Sequence, residues 1–309
     1  MPEASRQSMV AILGAGAFGR ALAFVAAAGG PTRLIGRRAE EGVETNADEA
    51  LSSADFVILA VPAQATRSAL RAHAHALPVG APLILAAKGL EAETGALQSE
   101  IAGELAPGHV LMALTGPAFA ADLTAGLPTA VTLAATDEAA GRAAQARLAG
   151  PAFRPYLSDD IIGAEIGGAL KNVIAIACGV AIGRGLGESA RAALMTRGFA
   201  EMTRIALARG GRAETLAGLS GLGDLSLTAS SLKSRNFAFG FALGRNEAPS
   251  AGVTQEGVAT ARAAAALAAR LGVKAPIIEA AARLAAGRSD VDAEMAALLS
   301  RPLASESGG

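Results

Sequence analysis

The stretch that most limits how this chain can fold is "MVAILGAGAFGRALAFVAAA", residues 9–28. A continuous apolar run enters a glycine turn, and an Ala- and Leu-rich run leaves it. The first run predicts a strand buried on both faces, and the second predicts a helix. Between them, Gly14, Gly16 and Gly19 keep the G-x-G-x-x-G spacing. Gly14 suits a tight turn, Gly16 lets backbone approach a pyrophosphate, and Gly19 lets the helix pack on the strand. The open helix N-terminus favours an anion. Gly14, Gly16, Ala17, Phe18 and Gly19 are therefore a candidate dinucleotide-binding loop. A tight turn that binds nothing has the same spacing; the strand–turn–helix setting favours the ligand.

The alternation continues. Apolar runs at 32–36, 55–62, 81–89, 109–117 and 129–135 read as further strands, with helical stretches such as 94–106 between them. This order predicts a parallel sheet covered by helices on both faces. From about Ser158 strand-like runs give way to helical stretches at 160–183, 188–209, 254–271, 276–287 and 290–300. The expected fold is an α/β Rossmann-type dinucleotide-binding domain over 1–157, followed by an all-α domain over 158–309 that binds substrate.

The 309 residues are 51% hydrophobic with a formal net charge of −1, which fits one or two globular domains. It argues against a nucleic-acid or anionic-membrane partner. The lone Cys178 cannot form an intrachain disulfide and reads as a small core residue. His73, His75 and His109 form no ligand spacing with it, so no metal is expected. The N-terminal residues carry no signal pattern, which makes the cytoplasm the expected compartment. The run from Ile161 to Ile182 is long enough to cross a bilayer, but Glu165, Lys171 and Asn172 interrupt it. A buried helix in a soluble protein, with no membrane span, fits better.

Lys171 stands out in that apolar helix. A buried ammonium is costly unless paired, and desolvation lowers its pKa. Such a lysine can exchange a proton near neutral pH. A lysine that packs its stem and pairs with Glu165 or reaches water fits the local sequence equally well. The segment 221–244, "GLGDLSLTASSLKSRNFAFGFALG", supplies Asp224 as a partner. It also offers Ser234, Arg235 and Asn236 at a helix start, where hydroxyl, guanidinium, amide and free N–H groups suit a phosphate. Capping by Ser234 alone is the plainer alternative. Lys88 and Gly116 follow strands, on the sheet edge where ligands bind. Arg37 and Arg38 end the second strand where an NAD-binding acid is usual. A guanidinium there suits the 2′-phosphate of NADP, with NAD still usable given Glu40 and Glu41.

The motifs "GAGAFGRALA", "LAVPAQ", "AAKGLE", "LTGPAFA", "GGALKNVIAIACG", "GLGDLSLT", "SRNFAFGFALG" and "QEGVATA" together resemble the bacterial NAD(P)-dependent sn-glycerol-3-phosphate dehydrogenases, in order from residue 11 to about 290. The resemblance implies reversible reduction of dihydroxyacetone phosphate to sn-glycerol 3-phosphate, a homodimer, and supply of phospholipid synthesis. It implies that Lys171 is the proton donor and that Lys88 touches substrate and cofactor. Gly116, Ala118, Asp224, Ser234, Arg235 and Asn236 would line the substrate. Ala120, Arg235, Thr254 and Glu256 would reach the cofactor, with NADP(H) preferred. Ala118 stands where Ser or Thr is frequent, "TQEG" where "VVEG" is common, and Phe18 where Trp is usual. The chain is also shorter than usual between Arg38 and Asp55. A related reductase acting on a 2-oxo or 3-hydroxy acid is the runner-up, and a silent NADPH-binding protein the third reading.

Overall fold

A computed structural model describes residues 8–248 and 256–300. Seven strands form one sheet: β1 (Val10–Leu13), β2 (Thr32–Ile35), β3 (Phe56–Leu59), β4 (Leu83–Leu85), β5 (Leu111–Thr115), β6 (Thr129–Ala135) and β7 (Phe153–Ser158). Their order is β2-β1-β3-β4-β5-β6-β7. The first five run parallel, with Val10 opposite both Thr32 and Phe56. Helices α1 (Ala17–Ala27), α2 (Ala47–Ser52), α3 (Thr66–His73), α4 (Gln98–Leu105), α5 (Ala120–Thr124) and α6 (Glu138–Leu148) fill the connections. Two apolar layers, one built on Ile12, Ile58 and Ile84 and the other on Leu13, Leu59 and Leu85, cover opposite faces of the sheet. That is why β1, β3 and β4, in the middle of the sheet, are apolar at every position.

Two features differ from the expected parallel sheet. β6 runs antiparallel to β5, with Leu114 opposite Leu133. The five-residue α5 turns the chain at the end where β5 finishes, instead of carrying it back across a face. The second feature is β7, which "FRPYLS" does not announce. It lies at the sheet edge, so only one face is covered; Phe153 and Pro155 are buried while Arg154 and Tyr156 are exposed. An edge position also tolerates Pro155. From α6, the buried Arg147 donates to the carbonyls of Ser8 (2.7 Å), Ala26 (2.7 Å) and Pro31 (2.8 Å). It thereby ties this last unit to the start of β1 and β2. Burial lowers its pKa.

The C-terminal domain is helical: α7 (Ile161–Gly183), α8 (Gly187–Ala208), α9 (Ala213–Ala217), α10 (Asp224–Thr228), α11 (Arg235–Gly244), α12 (Glu256–Arg270), α13 (Pro276–Ala285) and α14 (Val291–Leu299). Asp160 caps α7 by accepting from Gly163 N at 2.8 Å. Among the described residues α7 alone is long and apolar enough to cross a membrane, yet 89% of that window is buried inside the protein. It is the central strut of the helical domain. Its glycines set how closely α11 can lie. A Cβ on Gly179 would sit 2.1 Å from Phe237 O, and one on Gly240 would sit 2.0 Å from Ile176 O. Two backbones in such contact bring the start of α11 beside the middle of α7, where Lys171 and Asn172 lie.

Candidate active site

The glycine turn between β1 and α1 uses each glycine differently. Gly14 has φ +124°, and a Cβ there would meet Ala60 C at 2.6 Å. A Cβ on Gly19 would meet Gly14 O at 1.8 Å. Around Gly16, by contrast, nothing lies within 4 Å of the Cβ position, and no side chain caps α1. The first N–H groups of α1 therefore face open space above exposed Gly16 and Ala17. This cradle fits a pyrophosphate. Phe18 turns toward the centre of the molecule, where Lys88 Nζ lies 5.6 Å from its ring centroid. Arg37 and Arg38 are exposed just beyond β2. Glu40 is engaged by an ion pair with Arg20 from α1.

On the helical domain, Lys171 is 7% exposed and Asp224 1% exposed. Lys171 Nζ donates to Asp224 Oδ1 at 2.6 Å and to Thr228 Oγ1 at 2.9 Å. Lys88 Nζ donates to the second oxygen, Asp224 Oδ2, at 2.8 Å and to Gly116 O at 2.7 Å. One carboxylate thus bridges two ammonium groups from different domains. Glu165 is not the partner of Lys171; it accepts from Ser99 N (3.0 Å) and Ser99 Oγ at the start of α4. Burial holds that carboxyl up to about 7.

The electrostatics follow from the geometry. Burial pushes the Lys171 ammonium down to about 8; Asp224 opposes the shift, and the nearby Lys88 charge adds to it. Burial pushes the Asp224 carboxyl up, but the two ammonium groups together outweigh it and hold it below its ordinary value. Lys171 is therefore a buried acid with a proton it can release close to neutral pH.

Asp224 reaches this position because the chain makes a wide turn over Leu219–Gly223, in which Gly223 N donates to Gly218 O at 3.0 Å. A Cβ on Gly221 would meet Leu216 O at 2.0 Å. Such a turn at the start of a helix re-aims the side chain that follows it. Gly116 has φ +138°, and a Cβ there would lie 2.9 Å from Val131 Cα. The residue is glycine because of β6 behind it, and its carbonyl faces the lysine.

Ser234 caps α11, accepting from Phe237 N at 3.3 Å, and is itself 4% exposed. Asn236 Nδ2 donates to Asn172 Oδ1 at 2.9 Å, and Asn172 Nδ2 donates to Lys88 O at 2.9 Å. Arg235, between them in sequence, is exposed at the helix start. Ala118 and Ala120 are partly exposed where β5 passes into α5. Glu256, at the start of α12, accepts from Ala63 N at 3.0 Å, just past β3. Thr254 lies outside the described residues. Sequence reasoning passed over Thr228 and gave Asn172 no role. The signals were present: Thr228 is one helical turn after Asp224, and Asn172 is a polar residue in the apolar run, next to Lys171.

Among the described residues no group of His, Cys, Asp or Glu is arranged to hold a metal ion. A glycine cradle for a dinucleotide, facing a buried ammonium on an all-helical domain, defines a two-domain NAD(P)-dependent oxidoreductase. Family models for the NAD-dependent glycerol-3-phosphate dehydrogenase N-terminus and C-terminus match residues 42–141 and 160–296. A glycerol-3-phosphate dehydrogenase [NAD(P)+] from Cereibacter sphaeroides is 52% identical, over 96% of this chain and 100% of that one. One of the same name from Brucella ovis is 47% identical, over 96% and 98%. The crystal structure of glycerol-3-phosphate dehydrogenase from Coxiella burnetii superposes with a TM-score of 0.89 at 31% identity, over 96% and 100% of the two chains. The chain belongs to the NAD-dependent glycerol-3-phosphate dehydrogenase family.

Proposed function

We propose that the protein interconverts dihydroxyacetone phosphate and sn-glycerol 3-phosphate with NADP(H) as the preferred cofactor and NAD(H) also used. The observation that carries the reading is the Lys171–Asp224–Lys88 cluster, set between the glycine turn and the start of α11. Gly14, Gly16, Ala17, Phe18 and Gly19 hold the pyrophosphate side of the dinucleotide. Arg37 and Arg38 take the 2′-phosphate, while Lys88, Ala120, Arg235, Thr254 and Glu256 complete the cofactor contacts. The bound dinucleotide supplies the hydride for the central carbon of the substrate.

The remaining chemistry belongs to the chain. Lys171 Nζ gives its proton to the oxygen that becomes the hydroxyl, and takes it back in the reverse direction. Burial makes that transfer effective, because little water competes for the developing charge. Asp224 keeps the ammonium aimed and Thr228 fixes it from a second side. Lys88, Gly116 and Ala118 line the carbonyl side of the substrate. Ser234, Arg235 and Asn236 present the N-terminus of α11 to its phosphate. A substrate without a phosphate has no use for that cluster.

This reading divides the chain at residues 1–157 and 158–309, and places a homodimer in the cytoplasm feeding phospholipid synthesis. The direct test follows NADPH absorbance with dihydroxyacetone phosphate, unphosphorylated dihydroxyacetone and a panel of 2-oxo acids. Turnover confined to the phosphorylated ketone is the expected result. Turnover with an oxo acid instead would overturn the substrate while keeping the lysine.

A further inference from the structure

Lys88 leaves the sheet before it reaches the site. β4 ends at Leu85; Ala86 N still donates to Leu59 O of β3 at 2.9 Å, and Lys88 lies in the segment beyond this last sheet bond. Yet three successive carbonyls of that segment are each held by a side-chain amide. Asn172 Nδ2 donates to Lys88 O at 2.9 Å, Gln98 Nε2 to Gly89 O at 2.8 Å, and Gln64 Nε2 to Leu90 O at 2.8 Å. Gln64 also accepts from Ala92 N at 2.9 Å through its Oε1. Arg67 then grips Glu91 through two bonds, at 2.7 and 3.0 Å. The chain packs closely here. A Cβ on Gly89 would sit 2.9 Å from both Ala63 Cβ and Thr260 Oγ1.

We infer that Gln64 and Gln98 are positioning residues for Lys88, which with Asn172 clamp its backbone so that the ammonium stays on Asp224. The inference rests on the placement of Lys88 in the active site proposed above. A lysine stem is long and rotamer-rich, so its Nζ is only as well placed as the backbone beneath it. Three amides from three elements, the segment after β3, the start of α4 and the middle of α7, leave that backbone no single hinge. Satisfying buried carbonyls would by itself explain one amide at each. The alignment of all three directly behind the one lysine that bridges the domains points to a role in placing it.

The test is a double-mutant cycle on the full-length enzyme. Gln98→Met and Gln64→Met remove the donors. Gln64 is exposed, so its variant stays folded even if the buried Gln98 variant does not. Misplacing a reacting group by about an ångström costs up to roughly 100-fold, and a loosened clamp is expected to cost about tenfold in kcat/KM. The Kd for NADPH, which Lys88 also contacts on the reading above, changes by less than kcat/KM does. In a Lys88→Met background, measured by single turnover, neither substitution lowers the rate further.

The pH profile is the second readout. Lys171 is faced by Asp224 on α10, Glu256 on α12 and Lys88 on this segment. Drawing the Lys88 charge away raises the Lys171 pKa, so the falling limb of the reduction rate moves to higher pH in the glutamine variants. Single variants at the wild-type rate, an equal loss in the Lys88→Met background, or an unmoved limb would each overturn the inference. A Lys88→Met enzyme at the wild-type rate would overturn instead the assignment of Lys88 to the site.

Discussion

The glycine turn and the lysine cluster meet where Lys88 Nζ lies 5.6 Å from the Phe18 ring, and they are built on opposite plans. The turn works by what is missing: no side chain, no cap, and open space around Gly16. The cluster works by what is crowded in: two ammonium groups on one carboxylate that is 1% exposed. A site for a bound anion needs backbone N–H groups left free, whereas a site that moves a proton needs a charge forced out of water. The difference also sets how each fails. Filling the turn should block a ligand, and emptying the cluster should stop the chemistry.

The largest effect is expected at Lys171. Lys171→Met should lower kcat/KM by about 10³ or more, in the range that general acids supply, while the NADPH Kd stays nearly unchanged. A variant with near-normal turnover would end the assignment. Asp224→Asn comes next. Breaking a buried pair by removing one partner costs about 3–5 kcal/mol, so a lower melting temperature and an approximately 100-fold slower enzyme are expected. The Lys171 pKa should fall further below its value of about 8, because Asp224 is what opposes burial.

The native enzyme offers the same test without a mutation. With Lys171 as the proton donor proposed above, the rate of reduction should fall about tenfold per pH unit above about 8, while oxidation of the alcohol should rise through the same value. Two profiles moving in the same direction would remove Lys171 as the titrating group.

The glycines sharpen the contrast more gently. Gly14→Ala puts a Cβ 2.6 Å from backbone at φ +124°, and should lower the melting temperature and cofactor affinity together. Gly16→Ala meets nothing in the protein, so the fold should melt as before while NADPH binds about tenfold more weakly, or about 1.4 kcal/mol. Calorimetric titration separates the two. The smallest effect is expected at the exposed Arg37: Arg37→Ala should weaken NADPH severalfold, about 1 kcal/mol, and leave NADH unchanged.

The same contrast explains what could be read from the sequence. The glycine turn was legible because its requirements are local, three glycines within six residues. The long helices were legible too; α7 spans Ile161–Gly183 against an expected 160–183. The edge strand β7 was not, because half of its residues face out and no apolar run marks it. Nor was the reversal of β6, which depends on how little chain α5 contains. At the site, Asp224 was a reasonable partner for Lys171 from chemistry alone, although 53 residues separate them. Its second bond, to a lysine 136 residues away, had no sequence signal. Neither had Gln64 and Gln98, which are ordinary polar residues until the segment between them folds back against their amides.

The carboxylate shared by Lys88 and Lys171 bears on how such a protein can be recombined. The dinucleotide half could be exchanged for another Rossmann-type half and keep a glycine turn, since that turn is written within six residues, but the cofactor contacts proposed for Arg235 and Glu256 would have to be met again by the helical half. A chimera of that kind would inherit a helical half with one lysine on Asp224 and no second one. Turnover is thus a property of the junction, and a graft that respects each half but not the Lys88 segment would yield a cofactor-binding protein in place of an enzyme.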